Sequence, residues 1–213
     1  MLLLPLWVAV IERKLQAVFF ETKFWYPAFL IKPSGENTEF ELHQDWTFVD
    51  EEKYYSGNVW IPLCETEFEN GTLCIIPRAH YKNIKTLRSR TVLEIFKGRE
   101  ELLKKFCVPV NLKKGQAVIF QHSVPHYTPS NTSQKMRIAV ACGFNSLHAP
   151  LLNYCKTENG SIEIYSMPDN FVFDYDNVEQ TALTPNGKLI GHCPYKSDDY
   201  LTDEELVSLF SQG

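Results

Sequence analysis

Short apolar runs of β type, each closed by turn chemistry, constrain this chain more than any other feature. They recur at Ala28 to Ile31, Phe40 to Leu42, Asn58 to Leu63, Thr72 to Ile76, Ala117 to Phe120 and Arg137 to Phe144. Polar breaks separate them: Pro33 to Asn37, Glu69-Asn70-Gly71 and Pro129 to Ser133. Short strands joined by such turns predict a mainly β sandwich or barrel. Helices are expected only as supports. One is predicted to start near Thr91, where Thr91 and Glu94 have capping-box spacing ahead of Ile95, Phe96, Leu102 and Leu103. Thr202 and Glu205 repeat that signature before Leu206, Leu209 and Phe210, and a further helix is expected within residues 8–22. With 213 residues, 44% of them hydrophobic, and no repeat or linker, the whole chain 1–213 is expected to form a single domain around one core.

Charge narrows the partners. A formal net charge of −5 argues against nucleic acid, whose binding needs a basic surface. No stretch reaches the roughly 18–20 apolar residues that cross a bilayer, so no membrane partner is expected. Met1 to Ile11 is apolar, but no basic residue precedes it, no small-x-small cleavage site follows, and Glu12-Arg13-Lys14 comes directly after. It reads as a buried opening element, and the expected address is the cytoplasm. The six cysteines form no CxxC pair, and several sit in apolar runs as small core residues of a reducing compartment do. The three N-x-S/T triplets, beginning at Asn70, Asn131 and Asn159, are then chance matches.

The chemistry concentrates at two places. In Phe40-Glu41-Leu42-His43-Gln44-Asp45-Trp46 the strand pattern puts His43 and Asp45 two residues apart, hence on one face. After the run ending at Phe120 come His122 and His126, both candidates for a third ligand. Two histidines and one carboxylate on one face of a metal leave the opposite positions open for substrate and O₂. Arg137 heads an otherwise apolar strand, where an inward guanidinium needs an anion and suits a carboxylate in bidentate fashion.

These motifs in this order resemble the phytanoyl-CoA dioxygenase family of Fe(II)- and 2-oxoglutarate-dependent oxygenases. The matching set is His43-Gln44-Asp45, Trp60, Glu69 to Leu73, Pro77 to His80, Gly115 to Phe120, His126-Tyr127-Thr128 and Arg137, spanning about residues 28–145. The resemblance implies a double-stranded β-helix (jelly roll, cupin-like) with a few supporting α-helices. It also implies Fe(II), the cosubstrate 2-oxoglutarate and O₂, with hydroxylation of a C–H bond of a small-molecule substrate and release of succinate and CO₂. The family sets its distal histidine 11 residues before its arginine, which selects His126 over His122. His43, Asp45 and His126 are then the implied metal ligands. Arg137 is implied to hold 2-oxoglutarate, assisted by Thr128 and Trp60. His80 is expected to be structural, Lys32 to face solvent, and Trp46 either to line the substrate side or to pack in the core. Only 42 residues precede His43, fewer than the family usually carries, so shortened or missing buttressing helices are expected. The competing expectation is a metal-binding jelly roll without oxygenase activity, which has no need of Arg137. Oligomeric state is not legible.

Overall fold

The computed structural model describes residues 13–25, 27–79, 87–89, 91–92, 96–173, 187–194 and 201–211. Residues 1–11 and His80 therefore lie outside the described residues, and so do the expectations placed on them. Within the span 8–22, residues 13–16 are helical.

Two antiparallel sheets carry the site. The larger contains β1 (Thr22–Phe24), β2 (Ala28–Lys32), β4 (Ser56–Pro62), β7 (Val118–Gln121) and β9 (Arg137–Ser146). The ten residues of β9 form its spine: β1 and β2 share one edge of β9, β4 pairs with the other, and β7 lies beyond β4. The smaller sheet runs in the order β3 (Phe40–His43), β8 (His126–Thr128), β5 (Cys74–Ile75), β6 (Val108–Pro109). From β3 onward the chain crosses repeatedly between the two sheets, which is the winding of a double-stranded β-helix, as expected. All six anticipated runs are strands.

Period-two alternation assigns the faces of the large sheet. On β4 and β9, Val59, Val140, Cys142 and Phe144 point outward and pack under Leu15. Trp60, Ala139 and Phe120 point inward with Leu73 and Val124. Directly paired residues share a face, so Arg137, Ala139, Ala141 and Gly143 of β9 look inward with Lys32, Leu30 and Ala28 of β2. Small residues in the middle of that row leave space between the sheets. The outer face of the small sheet is covered by Phe96, Leu103, Leu206 and Phe210, packed on Leu42, Ile76 and Tyr127.

Helix Asp203–Ser211 begins as anticipated: the Glu205 N–H donates to Thr202 Oγ1 at 3.2 Å and the Thr202 N–H to Glu205 Oε2 at 2.7 Å. The helix expected from Thr91 is a correction. Ser89 and Val92 form an isolated bridge, and Thr91 Oγ1 accepts the Lys156 N–H at 2.9 Å, so that hydroxyl is bound to a strand end rather than to a helix start. Among the described residues the helix here is Glu100–Lys104. Three strands escaped the run pattern: β10 (Leu151–Lys156), β11 (Ser161–Met167) and β12 (Lys188–Pro194), a separate antiparallel meander. Its polar positions dilute the apolar signal, although Ile162 and Ile164 do alternate. No described helix is long and apolar enough to cross a membrane.

Gly143 shows how tightly the inner face is built, because a Cβ there would lie inside the Trp25 indole. That ring is buried and donates Nε1–H to Asn145 Oδ1 at 2.7 Å. Gly143→Ala is expected to cost about 1–3 kcal/mol of stability as overpacking. Denaturant unfolding followed by tryptophan fluorescence measures this, and an unchanged midpoint would contradict the packing described.

Candidate active site

β3 and β8 place His43 and His126 directly opposite each other, with ring centroids 4.2 Å apart. The His43 Nδ1–H donates to Glu41 O at 2.8 Å and the His126 Nδ1–H to Val124 O at 2.9 Å. A carbonyl only accepts, so each neutral imidazole carries its proton on Nδ1 and presents Nε2 as the donor atom for a metal. Asp45 follows β3. Its Oδ1 lies 3.9 Å from His43 Nε2 and its Oδ2 3.9 Å from His126 Nε2. These gaps are too long for hydrogen bonds. The ligand atoms of the three residues all fall within 4.8 Å of one another and face a common space. This is the donor set and spacing that a non-haem Fe(II) site requires.

The backbone at Asp45 is pinned on both sides. Its N–H donates to His122 O at 3.0 Å, and its carbonyl accepts Arg88 Nε–H at 2.7 Å. Arg88 is fully buried and ion-paired to Glu51. The Asp45 side chain also accepts a hydrogen bond on Oδ2 from Asn58 Nδ2 of β4, at 2.7 Å. Burial opposes the Asp45 charge, but His126, His122, His43 and Arg88 outweigh it and hold the carboxyl below its ordinary range. A carboxylate already ionised is ready to ligate.

His122, the alternative third ligand, sits elsewhere. It is 1% exposed, its Nδ1 is 3.0 Å from Ser56 Oγ, and its ring packs between Trp25 and Phe48. Burial pushes it down to about 4, so it is neutral at pH 7 and serves as a core residue whose carbonyl positions Asp45.

Arg137 faces the same cavity from the large sheet. It is 3% exposed, donating from Nη2 to Gly71 O at 2.9 Å and from Nη1 to Leu30 O at 3.4 Å. Its Nε–H is buried without a partner among the described residues. No carboxylate pairs with it among the described residues, and burial lowers its pKa. Trp60 lies beneath it, with the guanidinium carbon 5.4 Å from the ring centroid. A buried guanidinium with an orphaned N–H marks a seat for an anion. Thr128, one strand position beyond His126 on the same face, lines the cavity with Trp60 and Arg137.

Lys32 is a second correction: it is 6% exposed, not solvent-facing. It pairs with Arg137 across β2 and β9 and donates to Pro129 O at 2.9 Å, Thr128 O at 3.3 Å and Thr38 O. Those carbonyls use all three ammonium protons. Burial, with Arg137 alongside, pushes it down to about 8. Parity with Leu30 was the signal in the sequence for an inward Lys32. Asn58 and Arg88 gave no comparable signal. Trp46 lines the cavity, which encloses about 880 Å³ and is walled chiefly by aromatic and aliphatic side chains.

Fold and donor set together define a jelly-roll protein with a two-histidine, one-carboxylate cluster that could hold a metal. The chain belongs to the phytanoyl-CoA dioxygenase family, whose model matches residues 4–139. It is 34% identical over 116 residues to phytanoyl-CoA dioxygenase domain-containing protein 1 of Danio rerio, covering 51% of this chain and 40% of that protein. It is 28% identical over 142 residues to the homologue from Dictyostelium discoideum, covering 63% and 47%. The chain thus spans less than half the length of either relative. Among solved structures it is similar to EvdO2 of Micromonospora carbonacea var. aurantiaca complexed with 2-oxoglutarate, at TM-score 0.51 and 20% identity, covering 66% of this chain and 63% of that one. It is also similar to the non-haem monooxygenase ThoJ, at TM-score 0.51 and 16% identity, covering 82% and 69%. At such identities these two likenesses establish the fold alone. Family and donor set make Fe(II), 2-oxoglutarate and O₂ the cofactors of the site.

His122 sets a pH dependence. Its folded pKa, about 4, lies below the ordinary 6.5, so the unfolded chain binds its proton first as pH falls. The stability it confers is complete above pH 6.5 and is lost as pH drops toward 4. For metal-free protein this amounts to roughly 3 kcal/mol. Denaturant midpoints between pH 4 and 7 measure it, with His122→Asn expected to flatten the slope. Equal slopes in both proteins would contradict a neutral buried His122.

Proposed function

We propose that this protein is an Fe(II)- and 2-oxoglutarate-dependent dioxygenase that hydroxylates a C–H bond of a small molecule, releasing succinate and CO₂. His43, Asp45 and His126 hold the metal from one side through two Nε2 atoms and a carboxylate oxygen. Arg137 receives the distal carboxylate of the cosubstrate, Trp60 forms the wall beneath it, and Thr128 flanks it. O₂ would supply the oxidising power that the side chains lack, with 2-oxoglutarate as the co-reductant that supplies two electrons and Fe(II) as the centre that activates O₂. The chain's own tasks are orientation and the exclusion of water.

One observation carries this reading over a metal-binding jelly roll without oxygenase activity: the buried Arg137 lining the same cavity as His43, Asp45 and His126, with no carboxylate partner among the described residues. A bare metal site has no use for it. The remaining lining supports a neutral, largely apolar substrate. Trp46, Phe48, Phe40 and Val172 border the cavity, and its described cations are Lys32, already committed to carbonyls, and Arg137. A coenzyme A thioester carries phosphates that ask for more cations than these.

Succinate formation from 2-oxoglutarate under O₂ tests the function. It is expected in the iron-loaded protein, absent in His43→Ala, and restored toward wild type in Arg137→Met only at much higher cosubstrate concentration. Equal activity in all three proteins would refute the assignment. Lys32 adds a pH signature, since a dianion is held more weakly once that neighbouring charge is lost. Affinity for 2-oxoglutarate is expected to fall as pH rises through about 8, and Lys32→Met is expected to weaken binding and flatten the profile. A profile of the same shape in both proteins would remove Lys32 from the account.

A further inference from the structure

Asn58 is an unusual residue for its place. It sits in the middle of the larger sheet, on the inward face of β4, paired with Phe120 on one side and Gly143 on the other. Most inward residues around it, Trp60, Val118, Phe120, Ala139 and Ala141, are apolar, while Ser56 and Asn145 follow on the same face toward the start of β4. Asparagine is disfavoured in strands, and a β-branched or aromatic residue would pack better there. Its side chain is half-buried, borders the cavity, and reaches across to the other wall to donate Nδ2–H to Asp45 Oδ2 at 2.7 Å.

We propose that Asn58 is a positioning residue for the metal centre. It engages one oxygen of Asp45 from the opposite sheet, fixes the rotation of the carboxylate, and leaves Oδ1 as the ligand oxygen beside His43. Among the described residues the other hydrogen bonds of Asp45 do not accomplish this. His122 O and Arg88 hold its backbone, and neither sets the rotation about the Cβ–Cγ bond. The amide orientation is required by chemistry, because a carboxylate accepts and only the Nδ2 end of Asn58 donates to it. The tie also spans the two walls, so the carboxylate is referenced to the large sheet while both imidazoles belong to the small one. A carboxylate held by such an outer hydrogen bond pays less ordering cost on ligation, and losing such a partner typically weakens metal binding about 10–100-fold.

This inference rests on the metal-centre reading, and binding of Mn(II), a redox-inert substitute for Fe(II), separates the two. Mn(II) titration of metal-free protein, followed by electron paramagnetic resonance, is compared for wild type, Asn58→Leu, Asn58→Ala and Asn58→Gln. Both truncations are expected to bind about 10–100-fold more weakly and to give an altered bound-Mn(II) spectrum. Their metal-free melting temperatures should stay near wild type, which a merely structural role would not allow. Asn58→Gln keeps the donor and is expected to recover most of the affinity. Wild-type affinity in the folded truncations, or Asn58→Gln no tighter than Asn58→Ala, would overturn the proposal. The alanine variant adds no bulk, so it decides the matter if the leucine variant misfolds. A wild-type protein that takes up no Mn(II) would instead overturn the metal-centre reading itself.

Discussion

Arg137 is a guanidinium buried between two sheets with no carboxylate beside it among the described residues, and much of the cavity is organised around that constraint. A buried charge is tolerated only where fixed dipoles or a counter-ion replace water. Here two main-chain carbonyls do part of that work, Leu30 from β2 and Gly71 from the turn before β5, and the Trp60 ring adds its face. The Arg137 Nε–H has no partner among the described residues. Lys32 lies alongside, so the two cations raise the positive potential in a cavity that His43, Asp45 and His126 also line. An anion with a second chelating end satisfies both at once, which is the physical case for a 2-oxo dicarboxylate.

The sheets make that arrangement possible. Each contributes what the other lacks: the smaller brings the histidines into cross-strand register, and the larger brings Arg137, Trp60 and the small residues that leave room. Ties across the gap come from polar side chains. Lys32 reaches carbonyls at Thr128 and Pro129, Asn58 reaches Asp45, and Arg137 reaches Gly71. Covering layers on the outer faces, Leu15 on one side and Phe96 with the helix residues Leu103 and Phe210 on the other, are ordinary hydrophobic packing that holds the walls in place.

Strands were legible because alternation with turn residues is a local signal: all six anticipated runs formed. The clustering of His43, Asp45 and His126 was legible for the same reason, since His43 and Asp45 are close in sequence and the spacing from His126 to Arg137 belongs to a recognisable pattern. Features that depend on what a residue meets in space were not. Thr91 and Glu94 have the spacing of a capping box, yet the Thr91 hydroxyl is bound to the end of β10, more than sixty residues on. Lys32 was read by its charge as solvent-facing, although its parity with Leu30 points inward. Asn58 and Arg88 contact Asp45 across the fold, and nothing in their local sequence announces it. The meander of β10 to β12 is half polar on its strands, so hydrophobic runs alone underweighted it.

The claim everything else depends on is that one cavity takes Fe(II) at His43, Asp45 and His126 and 2-oxoglutarate at Arg137. An anaerobic titration of metal-free protein with Fe(II) and then 2-oxoglutarate, followed by its visible charge-transfer absorption, tests this most directly. The account predicts a band that needs both additions, weakens in Arg137→Met and vanishes in His126→Ala. A folded protein that binds metal yet shows no band with 2-oxoglutarate, or one whose band is indifferent to Arg137, would contradict it.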